Sequence, residues 1–420
     1  MVKLGHQDMI VFLIGLGSIL IIARLFSELF KYFRLPSVLG EIVAGVLLGP
    51  SFMGLFFPEC FNYLFPFIAN PEITLNIPVQ YAMDAMINIS VIMLLFVAGM
   101  EVQLPLVIEQ GKVALSTTFF SMLIPIGIGF LGVQLLPNLF MVSPGNIEIV
   151  GFFIGVVLSI TALPVIARIL MDMKLFKTRI GMTIIASAML IDLLGWLIFS
   201  VLLSMIDDSN TGASLSHTLI SILIFGGFML TIGSKLIDKS LPWVQTKFSW
   251  PGGVLTLSLG LCFLGAAFTE SIGIHSILGA FIVGISFGDS ANLRDRTREI
   301  IHQFVSNVFA PIFFVSIGLY VNFVENLNLP LIGVLFILAY TSKIFGAHIG
   351  ARIGGLSKRD SWAVGVSMNT HGVLEIILGS LAMAAGIINE EVFVAIVVLV
   401  VVSIITSAPM LRSIVQKPKS

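Results

Sequence analysis

One carboxylate, Asp192, stands in the stretch 180–206, which contains no other ionisable residue. A central aspartate costs an apolar membrane helix about 2.5–3.5 kcal/mol, so the position calls for a structural partner or a job. The job open to an isolated intramembrane carboxylate is to take up a proton or a small cation and release it elsewhere. Two runs could supply its neighbours. GVVLSITALPVIARIL (155–170) holds Pro164, which lacks an amide hydrogen and clashes with the preceding turn. The carbonyls near Ser159, Ile160 and Thr161 should therefore lose their helical partners, and with the Thr161 hydroxyl they are the oxygen donors a hard monovalent cation prefers. AVGVSMNTHGVLEIIL (363–378) is interrupted by Asn369, Thr370, His371 and Gly372. An ordinary proline kink and a polar packing seam are the plainer readings of these two runs taken singly.

Lys343 lies within ILAYTSKIFGAHIG (337–350), with Ala339, Gly346, Ala347 and Gly350 on its face at helical spacing. Such small residues let a neighbouring helix approach closely. The ammonium is too far from either end to snorkel, so it calls for a partner carboxylate or a dry, proton-exchanging site. His371 and Glu375 are four apart and share a helix face, as a structural pair or as part of a transport path. Glu41 reads as structural, Arg24 and Glu28 as a local i, i+4 salt bridge, and His275 and His348 as packed histidines.

The elements that must position these groups are membrane helices. The chain is 57% hydrophobic and 11% charged, against roughly a quarter charged in soluble domains, and its mean hydropathy is +1.07. About thirteen spans are read, at approximately 9–30, 36–57, 84–104, 113–136, 147–170, 180–206, 217–237, 252–269, 273–288, 304–323, 329–353, 361–387 and 390–411. Loops alternate in charge. One set carries Lys31, Arg34, Lys112, Lys174, Lys177, Arg179, Lys235, Lys239, Lys247, Arg294, Arg296, Arg298, Lys358 and Arg359, and the tail adds Arg412, Lys417 and Lys419. The other set (57–83, 137–146, 207–216, 270–272, 324–328, 389–390) has no Lys or Arg. Positive residues stay inside, so the N-terminus is expected outside and the C-terminus in the cytoplasm of a cell (inner or plasma) membrane.

The first apolar run has the wrong length and flanks for a cleaved signal peptide. Cys60 and Cys262 give neither a disulfide framework nor metal spacing. With no phosphate-binding glycine loop and no soluble domain after the last span, the chain reads as a bare membrane domain, not an enzyme, with no cofactor and no nucleic-acid partner. The two interrupted spans are seven apart in order and so cross the membrane in opposite directions. That is the geometry of an inverted repeat, spans four to six matching spans eleven to thirteen, with a substrate site where the helices are broken.

At these residues the chain resembles the monovalent cation:proton antiporter superfamily, in its cation:proton antiporter-2 (Kef/Nap-like) branch. The matching segments are LPSVLGEIVAGVLLGPSFMG (35–54), LLFVAGMEVQL (94–104), SITALPVIARIL (159–170), ASAMLIDLLGW (186–196) and NTHGVLEIIL (369–378). The resemblance implies an all-α polytopic fold with two crossed discontinuous helices, and a homodimer. Each protomer would have a transport core of about 113–206 and 329–411, and a dimerisation scaffold of about 9–104 and 217–323. It also implies that Asp192 carries the ion and the proton, and that Lys343 is the family's membrane lysine. Two positions depart. Electrogenic members carry Asp-Asp and electroneutral ones Asn-Asp at the site, where this chain has Ile191-Asp192. Lys343 therefore lacks the first aspartate as a partner and turns to Asp192 or Glu375. The usual Arg of the second interrupted span is His371.

The leading expectation is exchange of Na⁺ or K⁺ for protons by alternating access, the two ligands competing for Asp192. The other expectation is a Kef-like potassium efflux channel or transporter, which as a channel would want a continuous pore of repeated weak sites. An intramembrane aspartyl protease would need two facing aspartates, and Asp84 lies only at a span end.

Overall fold

The computed structural model describes residues 5–33, 37–66, 78–102, 104–173, 175–176, 178–206, 215–272 and 275–415. All regular structure among them is helical. In chain order the α-helices are α1 (His6–Tyr32), α2 (Ser37–Leu48), α3 (Pro58–Leu64), α4 (Pro78–Met100), α5 (Leu104–Leu135), α6 (Ile147–Ser159), α7 (Leu163–Asp172), α8 (Arg179–Ile206) and α9 (Leu215–Phe228). They continue with α10 (Ser234–Lys247), α11 (Gly252–Ser271), α12 (Ser276–Gly288), α13 (Asp295–Phe304), α14 (Ala310–Tyr320), α15 (Leu329–Ile353), α16 (Lys358–Met368), α17 (Val373–Ala384) and α18 (Glu390–Val415).

Among the described residues ten helices are long and apolar enough to cross a membrane. They fall in ten of the thirteen expected spans. The other three, 147–170, 273–288 and 361–387, hold shorter helices, so the ten do not fix the count at thirteen. The first and last of these are shortened because each is split into two helices, α6 with α7 and α16 with α17. The outer faces stay apolar: Leu13, Ile21 and Leu25 on α1 and Ile337 and Phe345 on α15 are exposed, as expected of side chains that meet lipid tails.

The chain divides into two compact units, Met1–Val102 with Ser216–Asn326, and Gln103–Leu215 with Leu327–Ser420. In the first unit α2 and α14 touch along their backbones. A Cβ on Gly45 would lie 2.2 Å from the Val315 carbonyl oxygen, so only glycine fits there. Ile19, Ala44, Leu48, Phe65, Val315 and Leu319 form the core around that contact. Ser27 Oγ donates to Glu41 Oε1 (3.0 Å), which keeps Glu41 in a buried structural contact. The expected Arg24–Glu28 pair forms at 2.8 Å on the exposed face of α1.

In the second unit α5 is the central helix, packed on α6, α8 and α15. The small-residue face of α15 is what permits the approach: Cβ atoms on Gly346 and Gly350 would lie 2.6 and 2.4 Å from the carbonyl oxygens of Phe120 and Ser116. The Ser116 hydroxyl then donates to the Gly350 carbonyl (2.9 Å), closing the seam with a polar bond. His348 stacks on Trp362 with ring centroids 4.2 Å apart, a packed histidine as its setting suggested.

Candidate ion-binding site

Every candidate site residue lies in the second unit. The first interruption is three residues long. α6 ends at Ser159, Ile160 turns extended (φ −79°, ψ 158°), and α7 begins at Leu163 with Pro164 in its first turn. Proline is at ease there because the first amides of a helix have no intrahelical acceptor anyway. The break thus falls just upstream of Pro164, among the carbonyls the sequence pointed to. The second interruption runs from Asn369, which caps α16, to Gly372, which precedes α17.

The two interruptions are bonded to each other. The Ala162 amide donates to the Thr370 carbonyl (2.6 Å), and the Thr161 hydroxyl donates to the Met368 carbonyl (2.8 Å). A Cβ added to Gly372 would sit 2.4 Å from the Ala162 Cβ, so the chains touch at that point. Thr161, Thr370, His371 and Glu375 are all fully buried, and Asn369 nearly so.

Lys343 is also fully buried. Its ammonium donates to the Ser159 carbonyl and to the Ser121 carbonyl (3.3 Å). The Ser159 hydroxyl turns back to donate to the Val156 carbonyl (2.7 Å). One of the carbonyls released at the first interruption is therefore held by a cation of the protein's own. Among the described residues, the charges of Glu375 and Asp192 both act on this ammonium.

Asp192 is buried on α8, as are its neighbours Ile191 and Ala188. Gly195, three residues on and so on the same face, would bring a Cβ to 3.1 Å from the Ile160 side chain. That face of α8 rests on the first interruption. At the second, Glu375 closes the start of α17. Its Oε2 accepts the Gly372 amide (2.8 Å) and its Oε1 pairs with His371 Nδ1 (3.2 Å). The His371 amide donates to Ser403 Oγ (3.1 Å) on α18.

Three contributors escaped the sequence reading. Ser121 and Met368 act through backbone carbonyls, which leave no mark in residue type. Ser403 had a signal, an isolated hydroxyl within the apolar run VVLVVVSII (397–405), but nothing in it named a partner.

An apolar bundle in which two helices are interrupted, with the interruptions bonded together beside buried charges, has the architecture of a polytopic membrane transporter. Residues 17–417 match the family described as sodium/hydrogen exchanger, transmembrane. The chain belongs to that family, which is one of transporters rather than enzymes. It is 31% identical to the Na⁺/H⁺ antiporter NhaS4 of Synechocystis sp., over 97% of this chain and 98% of that protein. It is 26% identical to the Na⁺/H⁺-K⁺ antiporter GerN of Bacillus cereus, over 96% and 95%. Against the K⁺/H⁺ antiporter 1 of Saccharomyces cerevisiae it is 28% identical over 97% of its own length, but it spans about half of that longer relative, 46%. The solved structure of the sodium proton antiporter MjNhaP1 from Methanocaldococcus jannaschii shares the fold, with a TM-score of 0.68 at 17% identity, over 98% of this chain and 99% of that one.

Proposed function

We propose that the protein exchanges a monovalent cation, Na⁺ or K⁺, for protons, with Asp192 binding one or the other. The observation that carries this reading is the bonded pair of interruptions lying against the helix of a buried aspartate. An anion at that place attracts a cation, the Thr161 hydroxyl at the first interruption retains lone pairs, and a proton on the carboxylate cancels the attraction. Competition for one group couples the two fluxes, because the loaded states are alternatives. Family membership and the antiporter relatives support the same exchange.

Alternating access follows if the second unit moves as the transport core while the first serves as a scaffold, the protein working as a homodimer in the cell membrane. Loop charge supports an outside N-terminus and a cytoplasmic C-terminus.

Reconstituted in proteoliposomes with Na⁺ or K⁺ gradients, Asp192→Asn is expected to lose exchange while keeping its melting temperature, since the amide preserves shape but holds neither proton nor cation. Wild-type exchange should rise with pH, and raising cation concentration should move that rise to lower pH. Retained coupled flux in Asp192→Asn would overturn the assignment. Unitary currents in place of saturable exchange would mark a conducting pore.

A further inference from the structure

His371 is a fully buried imidazole with one ring nitrogen committed to Glu375. Nδ1 faces Glu375 Oε1 (3.2 Å), and the other oxygen of that carboxylate accepts the Gly372 amide. A carboxylate gathering two N–H groups fixes the tautomer of the neutral ring, with the proton on Nδ1 and the lone pair on Nε2. Nε2 is buried and has no hydrogen-bond partner among the described residues. Nε2 is therefore the ring position at which a proton can be added, with the Glu375 carboxylate beside Nδ1 as its counter-charge.

Among the described residues Glu375, four positions on, is bonded to His371, and the charges of Glu375 and of Asp192 on α8 act on Lys343 of α15. α7 also carries Arg168 and Asp172. α18 meets His371 with the Ser403 hydroxyl, and its charged residues Glu390, Glu391 and Arg412 are at its ends. The charged side chains of α16, Lys358, Arg359 and Asp360, lie in its first turn, and Glu148 lies at the start of α6. Asp192, Glu375 and Lys343 act on one another as one electrostatic group, and His371 joins it through its bond to Glu375. A bound monovalent cation and a proton on His371 each add one positive charge to that group.

We propose that His371 Nε2 is a second proton-binding position whose occupation opposes cation binding at Asp192. The inference rests on the exchange reading above and adds the group that lowers cation affinity in acid. A protonated His371 adds a positive charge that opposes the cation, and a neutral one does not. Linkage then requires the cation to drive the proton off His371 by the same factor.

The test compares His371→Gln, fixed neutral, with His371→Lys, fixed cationic, by the apparent KM for Na⁺ and for K⁺ in proteoliposomes across pH. At alkaline pH His371→Lys should need about tenfold more cation than His371→Gln. In acid, wild type should move towards the Lys variant, while His371→Gln keeps the lower KM. A structural role would shift both variants by one factor at every pH, and that result overturns the proposal. Should either variant fail to fold, ¹⁵N-histidine NMR on wild type reads the same event. The ring should gain its Nε2 proton as pH falls and lose it again on adding sodium or potassium chloride, and a signal blind to both salts overturns the proposal as well. Absence of any Asp192-dependent exchange would instead defeat the exchange reading itself.

Discussion

The first interruption ends α6 on a carbonyl that meets an ammonium, and the second starts α17 on an amide that meets a carboxylate. Both pairings have the sign the helix dipole asks for, a cation at a C-terminus and an anion at an N-terminus, each favourable by about 0.3–2 kcal/mol. They differ in where the charge comes from. Glu375 is three residues from the amide it accepts and caps its own helix. Lys343 is 184 residues away from Ser159 and reaches it only because α15 packs tightly on α5. The second interruption is therefore closed by local sequence, and the first by tertiary packing. An ion site built between them inherits one fixed wall and one that depends on a neighbouring helix.

The sharpest way to break that contrast is Lys343→Gln. The amide can still donate to one carbonyl, but it leaves the buried charges of Asp192 and Glu375 without their cation. Removing one member of a buried charged group costs about 3–5 kcal/mol. A large fall in melting temperature and loss of exchange are expected. Glu375→Gln, which keeps an acceptor for the Gly372 amide, should cost clearly less. Equal melting losses in the two variants would erase the distinction between a locally closed and a remotely closed break.

What could be read from the sequence follows the same division. Pro164 and the polar run Asn369–Thr370–His371 announced both interruptions, because a missing amide and a polar cluster in an apolar helix are properties of residue type. The small-residue face of α15 announced a close neighbour for Lys343. The neighbour's identity was not legible: Ser121 and Ser159 receive the ammonium through carbonyls that every residue possesses. For that reason the Ser159 carbonyl read as an open oxygen donor, whereas it is the first atom Lys343 occupies. The bonds between the interruptions were hidden likewise, since three of their four atoms are backbone. The span count stayed open where broken or short helices, 147–159 and 276–288 among them, fall below a membrane-crossing length.

A second test addresses the contact rather than the charges. Gly372 has φ −167°, an extended conformation open to any residue, so Gly372→Ala adds a methyl without backbone strain. The methyl would meet the Ala162 Cβ at 2.4 Å and push the interruptions apart. Overpacking of this kind costs about 1–3 kcal/mol, and exchange should drop with it. Ala162→Gly in the same chain removes the atom that is struck. Recovery of melting temperature and transport in the double variant would establish that the two walls must touch. Loss of function without recovery would mean the methyl acts on something other than Ala162.

The smallest effect belongs to Thr161, and it sharpens the comparison most finely. Its hydroxyl donates to the Met368 carbonyl, a bond that braces the first interruption on the second. Thr161→Val keeps the shape and deletes the donor, so stability should fall by about 1 kcal/mol, the usual net contribution of one such bond. A pure brace would leave the apparent KM for the cation untouched, because the wall held by Glu375 and Ser403 remains. A ligand would raise KM further than the stability loss explains, since the hydroxyl lone pairs are removed along with the donor. Thr161→Ser, which restores the hydroxyl and removes only a methyl, should then return KM to the wild-type value. A raised KM in Thr161→Val that Thr161→Ser fails to reverse would assign the effect to the lost methyl and strike Thr161 from the cation's ligands.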